Sequence, residues 1–167
     1  MTQLERRVAE AMIALYSGDA KRIQHFIKVN AFAKLIAEGE GTDERTKEII
    51  SLAAYVHDIG IHESEKKYGS ADGKYQEIEG PSLARALLTE CGVDGEAIGR
   101  ICHIVGKHHT YTDIDGIDYQ IIVEADFIVN CYEDGISQGG VRNVLEKIFR
   151  TESGKKLLGE SFLEPRK

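Results

Sequence analysis

The chain has 167 residues, 42% hydrophobic and 29% charged, with a formal net charge of −7 and a pI near 5.4. That length suits one domain with a sizeable core, and the composition is that of an ordinary globular protein. The negative balance argues against broad binding to nucleic-acid polymers or to anionic membranes. Met1-Thr2-Gln3-Leu4-Glu5-Arg6-Arg7 has no apolar signal core, and no apolar run approaches the length of a membrane span. Cys91, Cys102 and Cys131 are widely spaced and odd in number, which predicts buried free thiols in a reducing cytoplasm.

Leu4 to Tyr16 patterns as a first amphipathic helix, closed by Ser17-Gly18. Asp19 can cap a second that runs to about Ala37, before Glu38-Gly39-Glu40-Gly41. Thr42 or Asp43 starts a third, with Ile49, Ile50, Ala53, Ala54 and His57 along its inward side. Residues 61–78 are polar, with Gly69, Gly73, Lys66, Lys67 and Lys74, which predicts a loop holding one short helical turn. Pro81 at a helix start and Gly92 beyond its end bracket a helix over 80–91. Asp94 caps the next, which reaches Val105, and 110–118 is rich in turn formers. Tyr119 to Tyr132 is ambiguous: Ile121-Ile122-Val123 favours a strand locally, while its length and lack of turns favour a buried helix. Val141, Val144, Leu145 and Ile148 mark a one-sided helix, a short helix follows Thr151, and residues 164–167 are expected to fray. The whole reads as all-α: a single-domain helical bundle over residues 1–167, with a core of about 20–132 and C-terminal helices over 138–160.

Six ionisable residues interrupt these apolar helices in one ordered series: His25, His57-Asp58, His108-His109 and Asp126. A helical bundle can bring inward-pointing ligands together from distant positions. His25 alone reads as a core histidine bonded to a carbonyl; as a member of the set it reads as a ligand. His57 and Asp58 close the apolar run Ala53-Ala54-Tyr55-Val56, where burial without a partner is costly and a cation between them removes the cost. Asp126 sits in the apolar window Ile121 to Val129 and needs a partner, either a metal or an arginine such as Arg22 or Arg100. Mixed imidazole and carboxylate ligands without thiolate suit Mn²⁺, Fe²⁺, Mg²⁺, Co²⁺ or Ni²⁺, with Zn²⁺ also open, and speak against a structural zinc site.

With His25 after Arg22-Ile23-Gln24, then Ala54-Tyr55-Val56-His57-Asp58-Ile59-Gly60, then Glu124-Ala125-Asp126, the chain resembles the HD superfamily of metal-dependent phosphohydrolases over roughly residues 20–132. The resemblance implies an HD-type helical bundle with a metal site between central helices, formed by His25, His57, Asp58 and Asp126. Some HD families insert two further histidines and hold a second ion bridged by the Asp of the dipeptide. Here His108 aligns best with the second inserted ligand, and His109 is its alternative or companion. At the first inserted position the chain departs from the pattern with Ile78-Glu79-Gly80-Pro81; Glu79 is either a carboxylate ligand or an ordinary acidic residue before a helix. A lysine common after His-Asp-Ile-Gly is replaced by Ile61-His62, leaving Lys66, Lys67 or Lys74 as substitutes, and the Gly-Tyr-Pro of the HD-GYP group is absent.

The resemblance implies a phosphohydrolase acting on a small phosphorylated substrate such as a nucleotide, with one divalent cation and room for a second. Asp58 would orient water and Arg22 would reach a phosphate, or else pair with Asp19. Two other readings stay open: a noncatalytic ligand-binding or regulatory module with a metal, and a di-iron oxygenase, since myo-inositol oxygenase shares this ligand layout.

Overall fold

The computed structural model describes residues 1–163 and holds nine α-helices and no strand among them: α1 (Gln3–Leu15), α2 (Ala20–Gly39), α3 (Glu44–Val56), α4 (Ile61–Tyr68), α5 (Gly73–Glu90), α6 (Gly95–Val105), α7 (Ile117–Glu133), α8 (Gln138–Lys147) and α9 (Glu152–Phe162). The fraying expected of 164–167 lies outside the described residues. No helix among the described residues is long and apolar enough to cross a membrane.

Local chemistry sets most boundaries. Thr2 and Glu5 form a capping box at α1; the side chains of Asp19, Asp43, Asp94, Ser137 and Thr151 accept from first-turn amides of α2, α3, α6, α8 and α9. The ambiguous segment is helix α7, and its sequence lacks a clean period for a physical reason. Residues 118–126 are buried without a break, so no face is left to be polar. α2 packs on both α3 and α7, α3 also packs on α6, α7 and α1, and α9, with α8 against it, closes over α7 and α2. Glu124, fully buried on α7, ties that closure: its carboxylate accepts from Gln120 Nε2 (2.7 Å), the backbone amides of Arg150 (2.6 Å) and Thr151 (3.0 Å), and Thr151 Oγ1 (2.5 Å).

Two expectations are corrected between residues 61 and 91. The segment 61–78 is not a loop but α4 and the first turns of α5. α4 buries only Ile61 and Ser64, a stripe too narrow to show as a hydrophobic period, and it closes at Gly69 in the left-handed region (φ 65°). α5 starts at Gly73, because Asp72 accepts from the Lys74 amide, so Pro81 lies inside the helix rather than at its start. The proline is accommodated against α6: a Cβ on Gly106 would stand 3.1 Å from Pro81 Cγ, and the Pro81 carbonyl accepts from Cys102 Sγ at 3.3 Å. Cys91, Cys102 and Cys131 are all free and buried.

Candidate metal centre

Three helices aim imidazoles at one point, and each imidazole is fixed by its outer nitrogen. His57, at the C-cap of α3, has Nδ1 2.9 Å from the Ala54 carbonyl; His108, just past α6, has Nδ1 2.9 Å from the Val105 carbonyl. A carbonyl can only accept, so both Nδ1 atoms carry a proton, and in the neutral imidazole each Nε2 turns a lone pair inward. His25 on α2 follows the same plan with a carboxylate: its Nδ1 is 2.9 Å from Glu133 Oε2 at the end of α7, and Glu133 is itself held by Lys28.

The inner atoms converge. His25 Nε2 lies 3.1 Å from Asp126 Oδ1, 3.3 Å from His57 Nε2 and 3.5 Å from Asp58 Oδ2. His57 Nε2 is 3.5 Å from Asp58 Oδ2 and 3.7 Å from Asp126 Oδ1, and His108 Nε2 is 3.3 Å from Asp58 Oδ1. Ligands about 2.1 Å from a common ion at ordinary coordination angles stand about 3.0–3.4 Å apart, so the spacing fits a cation among them. Acceptors facing acceptors at this range require positive charge between them. Potential ligand atoms of His25, His57 and Asp58, and again of Asp58, His108 and His109, lie within 4.8 Å of one another. Asp58 belongs to both groups and is held from outside, its backbone carbonyl accepting from Tyr16 OH at 2.9 Å. Asp126 Oδ1 also accepts from Asn130 Nδ2 at 2.9 Å.

A family model for the HD domain matches residues 22–139, more than half of the chain. The chain belongs to the HD domain family. A crystal structure described as a predicted HD superfamily hydrolase, from an uncultured Thermotogales bacterium, superposes with a TM-score of 0.66 at 23% identity, over 93% of this chain and 83% of that one. At that identity the likeness shows a shared fold. No curated protein matches the chain.

The electrostatics of the HD centre follow from the contacts. Burial pulls the His25 imidazolium down, but the carboxylates of Asp126, Asp58 and Glu133 outweigh it and raise His25 to about 9. Burial works to raise Asp58 and Asp126, yet the imidazoles facing them hold both well below the usual carboxylate range. Burial also opposes the charge on His108, and its Asp58 contact wins, so His108 is raised. Its neighbour differs: burial and the charge of His108 push His109 down to about 4. At neutral pH a proton on His25 supplies the positive charge that a divalent cation would supply on displacing it.

A cavity of about 380 Å³ opens onto His25 and Asp58, walled by Asp19, Lys21, Arg22, Ile61, Ala71, Gln76, Asn130, Glu133 and Asp134. The remaining expected residues fall as follows. Arg22 lines the cavity with Nη1 on Asp19 (2.6 Å) and Nη2 on Glu65 (2.5 Å). Glu79 lies outside both ligand groups, its carboxylate accepting from Lys67 Nζ (2.7 Å) and Tyr68 OH (2.8 Å). Lys66 pairs with Glu63.

Four contributors escape sequence reasoning. Glu133 and Tyr16 act on ligands from 108 and 42 residues away, with no local signal. Lys21 reads as a surface lysine but lines the cavity. Gln76 is buried in the cavity wall. It stands one turn before Gly80, and that helical register from the Gly80-Pro81 landmark is the signal that could have found it.

Proposed function

We propose that the chain is a metal-dependent phosphohydrolase acting on a small phosphorylated substrate, a nucleotide or related phosphoester, with residues 1–167 working as a single HD-type unit. The observation that carries this is the set of inward-facing Nε2 and carboxylate atoms that stand 3.1–3.7 Å from one another beside an open polar cavity. His25, His57, Asp58 and Asp126 would hold one divalent cation of the Mn²⁺, Fe²⁺, Mg²⁺, Co²⁺ or Ni²⁺ type, and Asp58, His108 and His109 offer ligands for a second. When bound, such a cation polarises a phosphoryl oxygen and acidifies water for in-line attack.

The chain's own groups do the positioning. Asp58 carries one carboxylate oxygen toward His25 and His57 and the other toward His108, so it can take a hydrogen bond from the attacking water while holding both sides of the centre. Tyr16 fixes its backbone. Glu133 keeps the His25 ring turned so that Nε2 faces inward. Lys21 makes no ion pair among the described residues and is the cavity cation most ready to meet a phosphate. Arg22 can join it by leaving Glu65, whose side chain is 42% exposed and therefore cheap to displace.

The test is phosphate release from a panel of nucleotides, sugar phosphates and simple phosphomonoesters by purified protein supplied with Mn²⁺, Mg²⁺, Co²⁺ or Fe²⁺. Turnover in at least one metal and substrate combination, abolished by chelation, is the expected outcome. A chain inert throughout would hand the reading to the regulatory module, and iron-dependent oxygen consumption would hand it to the oxygenase.

A further inference from the structure

α5 faces the centre with an amide. Gln76 is buried, and its Nε2 donates to the Ala71 carbonyl at 2.8 Å. That carbonyl can only accept, so the orientation of the amide is fixed and Oε1 is the atom left over. Oε1 is buried without a hydrogen-bond partner among the described residues, and the side chain lines the cavity together with Asp58 and His25. The other buried side-chain polar atom without a partner among the described residues is His109 Nε2. His109 belongs to the ligand group with Asp58 and His108. Both orphaned atoms belong to the first turns of α5, Gln76 on the helix itself and His109 packed against Gly73, where buried polar groups ought to be satisfied.

The packing of α5 is built to bring them there. A Cβ on Gly60 would stand 2.9 Å from the Gln76 carbonyl oxygen and from the Gly80 amide, so only glycine lets α5 lie against the turn that carries Asp58. A Cβ on Gly73 would stand 2.6 Å from the His109 ring, so the first residue of α5 makes room for that imidazole. Glu77 then accepts from the His109 amide and from Thr110 Oγ1, both at 3.0 Å, which clamps the loop to the same turn of helix. Glu79, two residues on, is taken up by Lys67 and Tyr68.

Resting on the metal-centre reading but not on hydrolysis, we propose that Gln76 Oε1 is a ligand of a second divalent cation, held together with Asp58, His108 and His109. An uncharged amide oxygen is a hard ligand that suits Mg²⁺ or Mn²⁺, and it adds no charge to the site. The second ion is consequently bound more weakly than the one among His25, His57, Asp58 and Asp126. The first ion stays with the purified chain, and the second exchanges with solution.

The test counts ions rather than turnover. The full chain, stripped by a chelator, is titrated with Mn²⁺ by calorimetry, and free Mn²⁺ is followed by its electron paramagnetic resonance. Wild type is expected to take one ion tightly and a second roughly 10- to 100-fold more weakly. Gln76→Ala should keep the tight ion, which also reports an intact fold, and weaken the second by roughly tenfold or more. Gln76→Glu, nearly isosteric and adding a charge, should tighten the second ion, and it carries the test if the alanine variant does not fold. An unchanged second binding constant in both variants would overturn the proposal, as would a single ion in wild type and in Gln76→Glu. Two ions with this dependence and no phosphate release would leave the proposal standing and remove the hydrolase reading.

Discussion

The two sides of the centre differ in how fully their polar groups are satisfied. Toward α2, α3 and α7, His25 and His57 each have Nδ1 bonded outward, and Asp126 accepts from His25 and from Asn130. Toward α5, Gln76 Oε1 and His109 Nε2 are buried with no partner among the described residues. A bonded outer shell fixes ring orientation before any ion arrives, so the α2–α3–α7 side is pre-organised for tight binding. The α5 side lacks that closure and suits an ion that comes and goes. Neighbouring residues make the contrast sharpest. His108 is raised by Asp58, whereas His109 is pushed down to about 4 by burial and by His108.

Asp58 belongs to both sides, and its loss should break both. Asp58→Ala is expected to lower the rate of phosphate release by 10²-fold or more, equivalent to roughly 2.7 kcal/mol or more of transition-state stabilisation, with an unchanged helical circular dichroism spectrum. Parent-like turnover in every active metal would contradict the role given to it. Glu133→Ala acts on the pre-organised side alone. Freeing the His25 ring should weaken the tight ion by roughly 10- to 100-fold, measured by Mn²⁺ calorimetry. Lys28→Ala, which removes a partner of Glu133 but leaves the His25 contact, should change it far less. Equal effects of the two variants would mean that the Glu133 charge, not ring orientation, is what matters.

The same side should carry the pH dependence. His25 is raised from 6.5 to about 9 in the folded, metal-free chain. Its contribution to stability is thus fully present below about 6.5 and is lost as pH rises through about 9. Ion binding runs the opposite way, because the cation must displace that proton. The tight-site affinity should rise by roughly tenfold per pH unit as pH climbs toward 9, with one proton released per ion. Calorimetry in buffers of different ionisation enthalpy counts that proton, and a count of zero would contradict the assignment. The smallest effect belongs to Glu79→Ala. With its carboxylate on Lys67 and Tyr68, ion affinities should move by less than about twofold, and the loss should be confined to a partly exposed ion pair. A large drop in either affinity would bring Glu79 back into the centre.

The fold and the convergence of His25, His57, Asp58 and Asp126 are legible in the sequence for one shared reason. His25, His57, Asp58 and Asp126 interrupt strongly apolar helices, where a buried charge is conspicuous, and Asp19, Asp43 and Asp94 cap where acidic N-caps are expected. The region from α4 to α5 was not legible. α4 buries two residues, so its helical period is hidden in polar text, and Pro81 inside α5 imitates a helix start. Gln76 carries no charge that would mark it in the sequence; its place in the cavity wall and its unpartnered amide oxygen are tertiary features. Glu133 was hidden for a different reason: its role is a contact across 108 residues of chain, set by how α2 crosses α7.

The most direct measurement is a crystal structure of the chain grown with Mn²⁺, with the ion located by its anomalous scattering. A strong peak is expected within about 2.0–2.6 Å of side-chain N and O atoms of His25, His57, Asp58 and Asp126. A strong peak bound elsewhere, or none at saturating Mn²⁺ with these four side chains well ordered, would contradict it.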